Sequence, residues 1–482
     1  MSYCRRLKHQ RAAGNLERAK FAPEPIGFLF QERLIMKFIF SATFSAFLLL
    51  SFVFAGYAQT AATAAATTNA PDKFISEFDV SGLKVIVKRR PSSPTVSAGL
   101  FVRGGVKNQT AQNAGIENLT LSTAAEASKK FPRETLRNEL SRMGSSVSAG
   151  SGYDFGVVSL ASTRQNFDKT WEIFSDIVLN PSFAAEDFAL VRERVLTGLR
   201  NQSVSPDNSL NALEEKVVYA NHPYAVDPSG TIETVSGLKI EDLRAYHKNL
   251  LQTSRLLLVV VGDLDAETVR KQITASFGKL PRGDYAEKPT PPIAFAQPSV
   301  EITPRQVETN YVKGVFAAPS LGDPDYYAMR VAMTILQSRV YQEVRTKRNL
   351  SYAPNAEMGD NAANTGNIYV TAVDANQAVS VMLKEVEGMR ENTLDEDNFT
   401  GVPGYFLTTY YINQETNAAQ VAELARYELV GGGWRNSLVF LDKIRAVTPR
   451  DVKRVSEKYM KNLRFVAVGN PSAINKQIFL QN

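Results

Sequence analysis

Hydrolytic and metal chemistry needs imidazoles, thiolates or paired carboxylates at set spacings, and this chain is poor in the first two. Its 482 residues hold three histidines and one cysteine. His9, His222 and His247 lie too far apart in sequence for any two to stand at i and i+4 on one helical face, where two imidazoles grip one ion. His222, in NHPYAV, reads as a turn residue, and His247, on a helix leading into a strand, as a surface or capping residue. The stretch AGIENLTLSTAAEAS, Ala114 to Ser128, opens as a helix after a Gly-rich turn and sets Asn118, Leu121 and Ser122 along one face. An amide, an isobutyl group and a hydroxyl supply no general base, so this face supports no hydrolysis by itself. The hydroxyls from Ser159 to Thr163 have no histidine partner, which leaves a serine triad unsupported. Gly431 to Gly433 lack the strand-to-helix setting and the lysine of a phosphate loop and read as a flexible turn.

The elements that must position these residues follow from composition and pattern. At 44% hydrophobic and 22% charged, the chain is long enough for two or more globular cores. The formal charge of +6 is concentrated in residues 1–58, which hold eight Lys/Arg against three acids; removing them leaves 47 basic and 46 acidic residues. A near-neutral body gives no electrostatic case for binding nucleic acid. Met36-Lys37, the apolar run FIFSATFSAFLLLSFVFA and the small residues up to Ala58 form a signal-peptide pattern, with an uncleaved anchor as the alternative. Cys4 lies in that leader, so an exported mature chain would carry no disulfide and no thiol, and a bacterial periplasm is its expected compartment.

Past an Ala/Thr-rich spacer, the pattern occurs twice. EDLRAYHKNLLQTSRLLLVVVGDLDAETVRKQI, from 241, reads helix, buried strand, turn, helix, and RDVKRVSEKYMKNLRFVAVGNPSAINKQI, from 450, repeats the order. Val261-Gly262-Asp263 is answered 207 positions on by Val468-Gly469-Asn470, and the strand–helix unit from Gly156 is answered by that from Gly366 at an offset of 210. Two matches at nearly one offset imply a duplicated unit of about 200 residues. The Pro-rich 280–298 is the linker. The expected division is a leader over 1–58 with the signal at 36–58, a spacer over 59–72, an N-terminal domain over 73–279, the linker, and a C-terminal domain over 299–482. The expected fold is α+β: two homologous domains in a clam-like arrangement, each a mixed or antiparallel sheet with helices on one face.

The order strand, Gly-rich turn, helix, strand, together with HPYAVDPSGTIETVSGLKIEDLRAYH at 222–247 and the closing VVVGD, resembles the pitrilysin/insulinase family of zinc metallopeptidases, in particular its short two-domain members of the mitochondrial processing peptidase type. In that family H-x-x-E-H on the helix after the turn binds zinc and activates water, and a Glu on a later helix completes the ligand set. The resemblance puts Asn118 and Ser122 at the two histidines, Leu121 at the glutamate and Leu199 at the later ligand. None of the four is a ligand, so the chain reads as metal-free, with Asn118 and Ser122 engaged in local hydrogen bonds. LQSRVYQEVRTKRNLSYAPNAE, 336–357, resembles the segment that carries the family's substrate-binding Arg/Tyr pair, here Arg345 and Tyr352, although Ile335 to Ser338 stand where family members have glycines. The plain alternative makes Arg345 a solvated helix-face partner of Glu343 or of a nearby Asp, and Tyr352 a half-buried strand aromatic. SSVSAGSGYDFGVVSLAST, 145–163, resembles the family's substrate-receiving edge strand, or is an ordinary hairpin.

The resemblance implies a non-catalytic, substrate-binding subunit of an exported heterodimeric zinc peptidase. Its partner would be a paralogue with an intact H-x-x-E-H that holds the zinc, its substrates unfolded peptides, and a homodimer is a further possibility. The alternatives are a metal-free scaffold or peptide-binding protein, and a self-sufficient peptidase with an unrecognised site.

Overall fold

Period-2 and fully apolar segments condense into two sheets, each fed by helices with one apolar stripe. The computed structural model describes residues 71–481, apart from 203, 395–398 and 400, so the signal segment and nearly all of the spacer fall outside the described residues. The first sheet contains β1 (Ile75–Val80), β2 (Leu83–Arg89), β3 (Thr95–Arg103), β4 (Ser146–Ser151), β5 (Phe155–Thr163) and β6 (Leu256–Gly262), in the order β1-β2-β6-β3-β5-β4. The second contains β7 (Ser299–Pro304), β8 (Asn310–Ala318), β9 (Asn355–Met358), β10 (Asn364–Ala372) and β11 (Arg464–Gly469), in the order β7-β11-β8-β10-β9. With β1 set aside, the orders correspond strand for strand. In each sheet one pair is parallel, β2 with β6 and β7 with β11, and the others are antiparallel. The fold is the expected pair of homologous mixed-sheet domains.

In the N-terminal lobe the helices are α1 (Ile116–Ala124), α2 (Arg133–Met143), α3 (Phe167–Leu179), α4 (Ala185–Gln202), α5 (Pro206–Val218), α6 (Ile232–Gly237), α7 (Ile240–Leu250) and α8 (Ala266–Phe277). The C-terminal lobe has α9 (Tyr326–Val340), α10 (Ala375–Glu391), α11 (Val402–Asn413), α12 (Asn417–Val430) and α13 (Pro449–Tyr459), with short turns at Arg435–Leu438 and Phe440–Arg445. Trp171, Phe174, Val269 and Ile273 from α3 and α8 bury one face of the first sheet, and α9, α10 and α13 do the same for the second.

Each sheet's other face is covered by a helix from the opposite lobe. Val421, Leu424 and Ala425 of α12, with Trp434, pack on Ile86, Phe101, Leu257, Val259 and Val261 of the first sheet. Reciprocally, Leu210 of α5 packs on Val466 and Val468 of the second. This exchange explains LLLVVVG at 256–262: both faces of β6 are buried, so neither alternates with polar residues. Polar contacts close the seams, with Lys313 Nζ 2.5 Å from Glu214 and Lys84 Nζ 2.7 Å from Glu428. The proline-rich 281–298 carries neither helix nor strand, yet it is tied down: His222 Nε2 lies 2.9 Å from the Pro291 carbonyl, and Asn462 donates to the Phe295 carbonyl at 2.8 Å. Among the described residues no helix is long and apolar enough to cross a membrane.

Candidate functional site

The entry to α1 is fixed by backbone geometry. Gly115 has φ +86°, and a Cβ there would stand 2.7 Å from the Ser229 carbonyl oxygen, so only glycine fits where this turn meets the DPSGT segment. Gln109 accepts from the Gly115 amide at 2.8 Å, and Thr234 donates to the Ala114 carbonyl at 2.9 Å. The helix then leans on β5, where Gly156 leaves room: a Cβ at that position would lie 2.7 Å from both Glu117 Oε1 and a Leu121 methyl.

Leu121 is buried in the core of the N-terminal lobe. Leu199 of α4 joins Ile116 and Leu119 of α1 in an apolar seam. Asn118 and Ser122 are half-buried, and in place of the local hydrogen bonds expected of them neither side chain has a partner among the described residues. The polar centre of this helix is instead Glu117, which is fully buried. Its carboxylate accepts from Ser151 Oγ at 2.9 Å, Tyr246 Oη at 2.8 Å and the Arg255 guanidinium at 3.2 Å. Arg255 in turn lies over the ring of Tyr285, 5.1 Å from its centroid. Burial pushes the Glu117 carboxyl up to about 6, opposed by the Arg255 charge and the two hydroxyl donors. This cluster escaped the sequence reading, although its signal was there: Glu117 interrupts an apolar helix and Arg255 directly precedes seven apolar strand residues.

The other candidates lie on the C-terminal lobe. After Val340, α9 widens into a π-helical turn, Tyr341–Thr346, closed by Lys347 N–H to the Gln342 carbonyl at 2.9 Å and ended by Asn349 at φ +51°. The wide turn carries Arg345, whose guanidinium carbon sits 4.0 Å from the centroid of Tyr352 and 5.0 Å from that of Tyr341. Tyr352 is 79% exposed and lies outside any strand, unlike the half-buried strand aromatic of the plain alternative. Glu343, the other partner in that alternative, pairs with Lys347 and Arg348, and Arg345 has no ion pair among the described residues. Ile335 and Leu336 are buried in the core, and Gln337 accepts from the Ala356 amide at 2.5 Å, so the helix runs unbroken and is pinned to β9.

Segment 145–163 is the β4–β5 hairpin, with β4 at the margin of the first sheet beside α1. His222 caps a turn, its Nδ1 accepting from the Tyr224 amide at 3.1 Å. His247 Nε2 lies 2.8 Å from the Val178 carbonyl in the last turn of α3, and burial lowers its pKa.

Two family models match this chain: Insulinase (Peptidase family M16) over residues 84–226, and Peptidase M16 inactive domain over 237–402. The chain belongs to the insulinase family, peptidase family M16. An uncharacterized zinc protease of Mycobacterium leprae is 22% identical over 411 residues, covering 82% of this chain and 92% of the relative. The mitochondrial-processing peptidase subunit beta of Blastocladiella emersonii is 24% identical over 414 residues, covering 81% and 87%. A solved structure described as the peptidase M16 inactive domain from Pseudomonas fluorescens superposes with a TM-score of 0.75 at 19% identity, covering 82% of this chain and 98% of that one. In this insulinase-family chain the four positions that the sequence resemblance sets at the zinc ligands and base, Asn118, Ser122, Leu121 and Leu199, present an amide, a hydroxyl and two isobutyl groups. That donor set does not fit zinc. Among the described residues no group of three or more His, Cys, Asp or Glu is placed to hold a metal.

Proposed function

We propose that this chain is the non-catalytic, substrate-binding subunit of an exported heterodimeric zinc peptidase. It contributes Arg345 and Tyr352 to a chamber whose zinc is held by a paralogous partner with an intact H-x-x-E-H, and its substrates are unfolded peptides. The observation that carries this reading is the state of Arg345: a guanidinium set over the rings of Tyr341 and Tyr352 and without an ion pair among the described residues. Stacking fixes the plane of the cation while its N–H groups stay free for a peptide carbonyl or the negative charge that develops on it. The relative named as a processing-peptidase subunit supports a function shared between chains.

The test is to purify the tagged chain from its host with whatever co-purifies, identify the partner by mass spectrometry, and reconstitute the complex with Arg345→Ala. Assembly should be unchanged and peptide turnover reduced by about 10²–10³, the size of the loss when one charge-stabilising donor is removed. Unchanged turnover would remove the Arg345 role. Recovery of no H-x-x-E-H paralogue would favour the scaffold reading, to which the internally satisfied Glu117 cluster on α1 also lends support.

A further inference from the structure

A cavity of about 480 Å³ lies in the C-terminal lobe between α9, α11 and α12, away from the α1 face and not lined by Arg345 or Tyr352. Four charged side chains line it: Arg330, Asp360, Glu423 and Arg426. Asp360 and Arg426 hydrogen-bond to each other, which leaves one cation and one anion. Arg330 reaches the Met358 carbonyl only at 3.5 Å, its buried Nε has no partner, and it has no ion pair among the described residues. Glu423 accepts from the Gln414 amide but likewise has no ion pair; burial pushes its carboxyl up to about 7 against the pull of Lys88 across the lobe seam. Arg330 and Glu423 thus share a cavity without neutralising each other. The walls between them are aromatic, including Tyr326, Tyr410 and Tyr427.

A ligand carrying only a cation would leave Arg330 uncompensated and add like charge to its surroundings; an anion would do the same to Glu423. A ligand bearing both charges satisfies both at once, and the volume lies within the roughly 300–1,000 Å³ of small-molecule sites. We infer that this cavity binds a small zwitterion, a free α-amino acid or a dipeptide, with its carboxylate on Arg330, its ammonium on Glu423 and its side chain against the tyrosines. An ammonium beside tyrosine rings gains cation–π attraction as well as the ion pair. The inference stands apart from the subunit reading, since it uses neither the α1 face nor the Arg345 stack.

The experiment is calorimetric titration of the full chain with phenylalanine and with the dipeptide Ala-Phe, each compared with its N-acetylated and its C-amidated form. At least one free zwitterion should bind, and blocking either end should weaken it tenfold or more. Glu423→Gln should weaken the zwitterion tenfold while leaving the N-acetylated form as it was; Arg330→Gln should weaken it similarly while leaving the C-amide as it was. Ala422→Trp, on the exposed rim, keeps both charges and fills the mouth, so it should abolish binding even if a charge variant folds poorly. Absence of binding at millimolar ligand, equal binding of blocked and free forms, or wild-type binding by Ala422→Trp would each overturn the assignment. Whether the amino acid or the dipeptide binds more tightly tells which of the two the cavity is sized for.

Discussion

The two lobes use equivalent helices in opposite ways. Helix α1 follows β3 and leads toward the β4–β5 hairpin; α9 follows β8 and leads toward β9 and β10 in the same relation. On α1 the charged group is turned inward, with Glu117 fully buried and held by Ser151, Tyr246 and Arg255. At the end of α9 it is turned outward, with Arg345 on a π-helical turn beside the exposed Tyr352 and without an ion pair among the described residues. A buried charge survives only if the chain satisfies all of its bonds, and a group so satisfied has nothing left to offer a ligand. A stacked, half-exposed guanidinium keeps its donors free. One lobe of the duplicated frame has therefore committed the charge on its helix to cohesion, and the other leaves a cation at the end of its helix beside exposed rings.

The largest expected effect lies on the cohesive side. Glu117→Ala leaves Arg255 buried and unpaired and should lower stability by about 3–5 kcal/mol in urea denaturation. The double variant Glu117→Leu/Arg255→Met, which removes both charges, should recover most of that loss; no recovery would mean that the pair does not act as a unit.

The next effect is one of pH. Because burial raises the carboxyl of Glu117 to about 6 from the ordinary 4.5, the native state holds a proton that the unfolded chain has already released between those values. Stability is therefore greatest below pH 4.5 as far as this group is concerned, and it falls as pH climbs through 6. The loss should be on the order of 2 kcal/mol, and denaturation of Glu117→Gln from pH 4 to 7 should show a flatter profile by that amount.

The smallest stability effects belong to the end of α9. Arg345→Ala should shift stability by no more than about 0.5–1 kcal/mol, the worth of exposed cation–π contacts, and Tyr341→Ala should behave alike. Tyr352→Phe keeps the stack and removes only the hydroxyl, so stability should not change measurably, and any loss of turnover in the assembled complex would report the hydroxyl itself. A stability loss of several kcal/mol at Arg345 would erase the contrast between the lobes.

The duplication was legible because the VGD and VGN turns and the strand–helix units from Gly156 and Gly366 keep their offset, and core patterns persist where sequence identity does not. The lack of helix and strand over 281–298 was legible through its prolines. The apolar character of Leu121 on the α1 face, now part of the core, was legible from its side-chain type alone. The exchange of α5 and α12 between sheets was not legible, because an amphipathic helix states that one face is buried and not against what. The Glu117–Arg255 pair joins residues 138 positions apart, a distance over which local pattern carries no information. The pairing of Arg345 with Glu343 does not form for a related reason: Glu343 lies two residues from Arg345, but on a helix that separation points the side chains apart, and Lys347 at i+4 takes the carboxylate.

By itself the sequence determined the repeated architecture, the apolar strands and the glycine that opens α1, all of which depend on residue type and short spacing. Only the tertiary structure decided which charges are neutralised and which are left over. That outcome depends on contacts between elements brought together from across the chain, where a few ångströms separate a satisfied carboxylate such as Glu117 from Arg345, Arg330 and Glu423, which have no ion pair among the described residues.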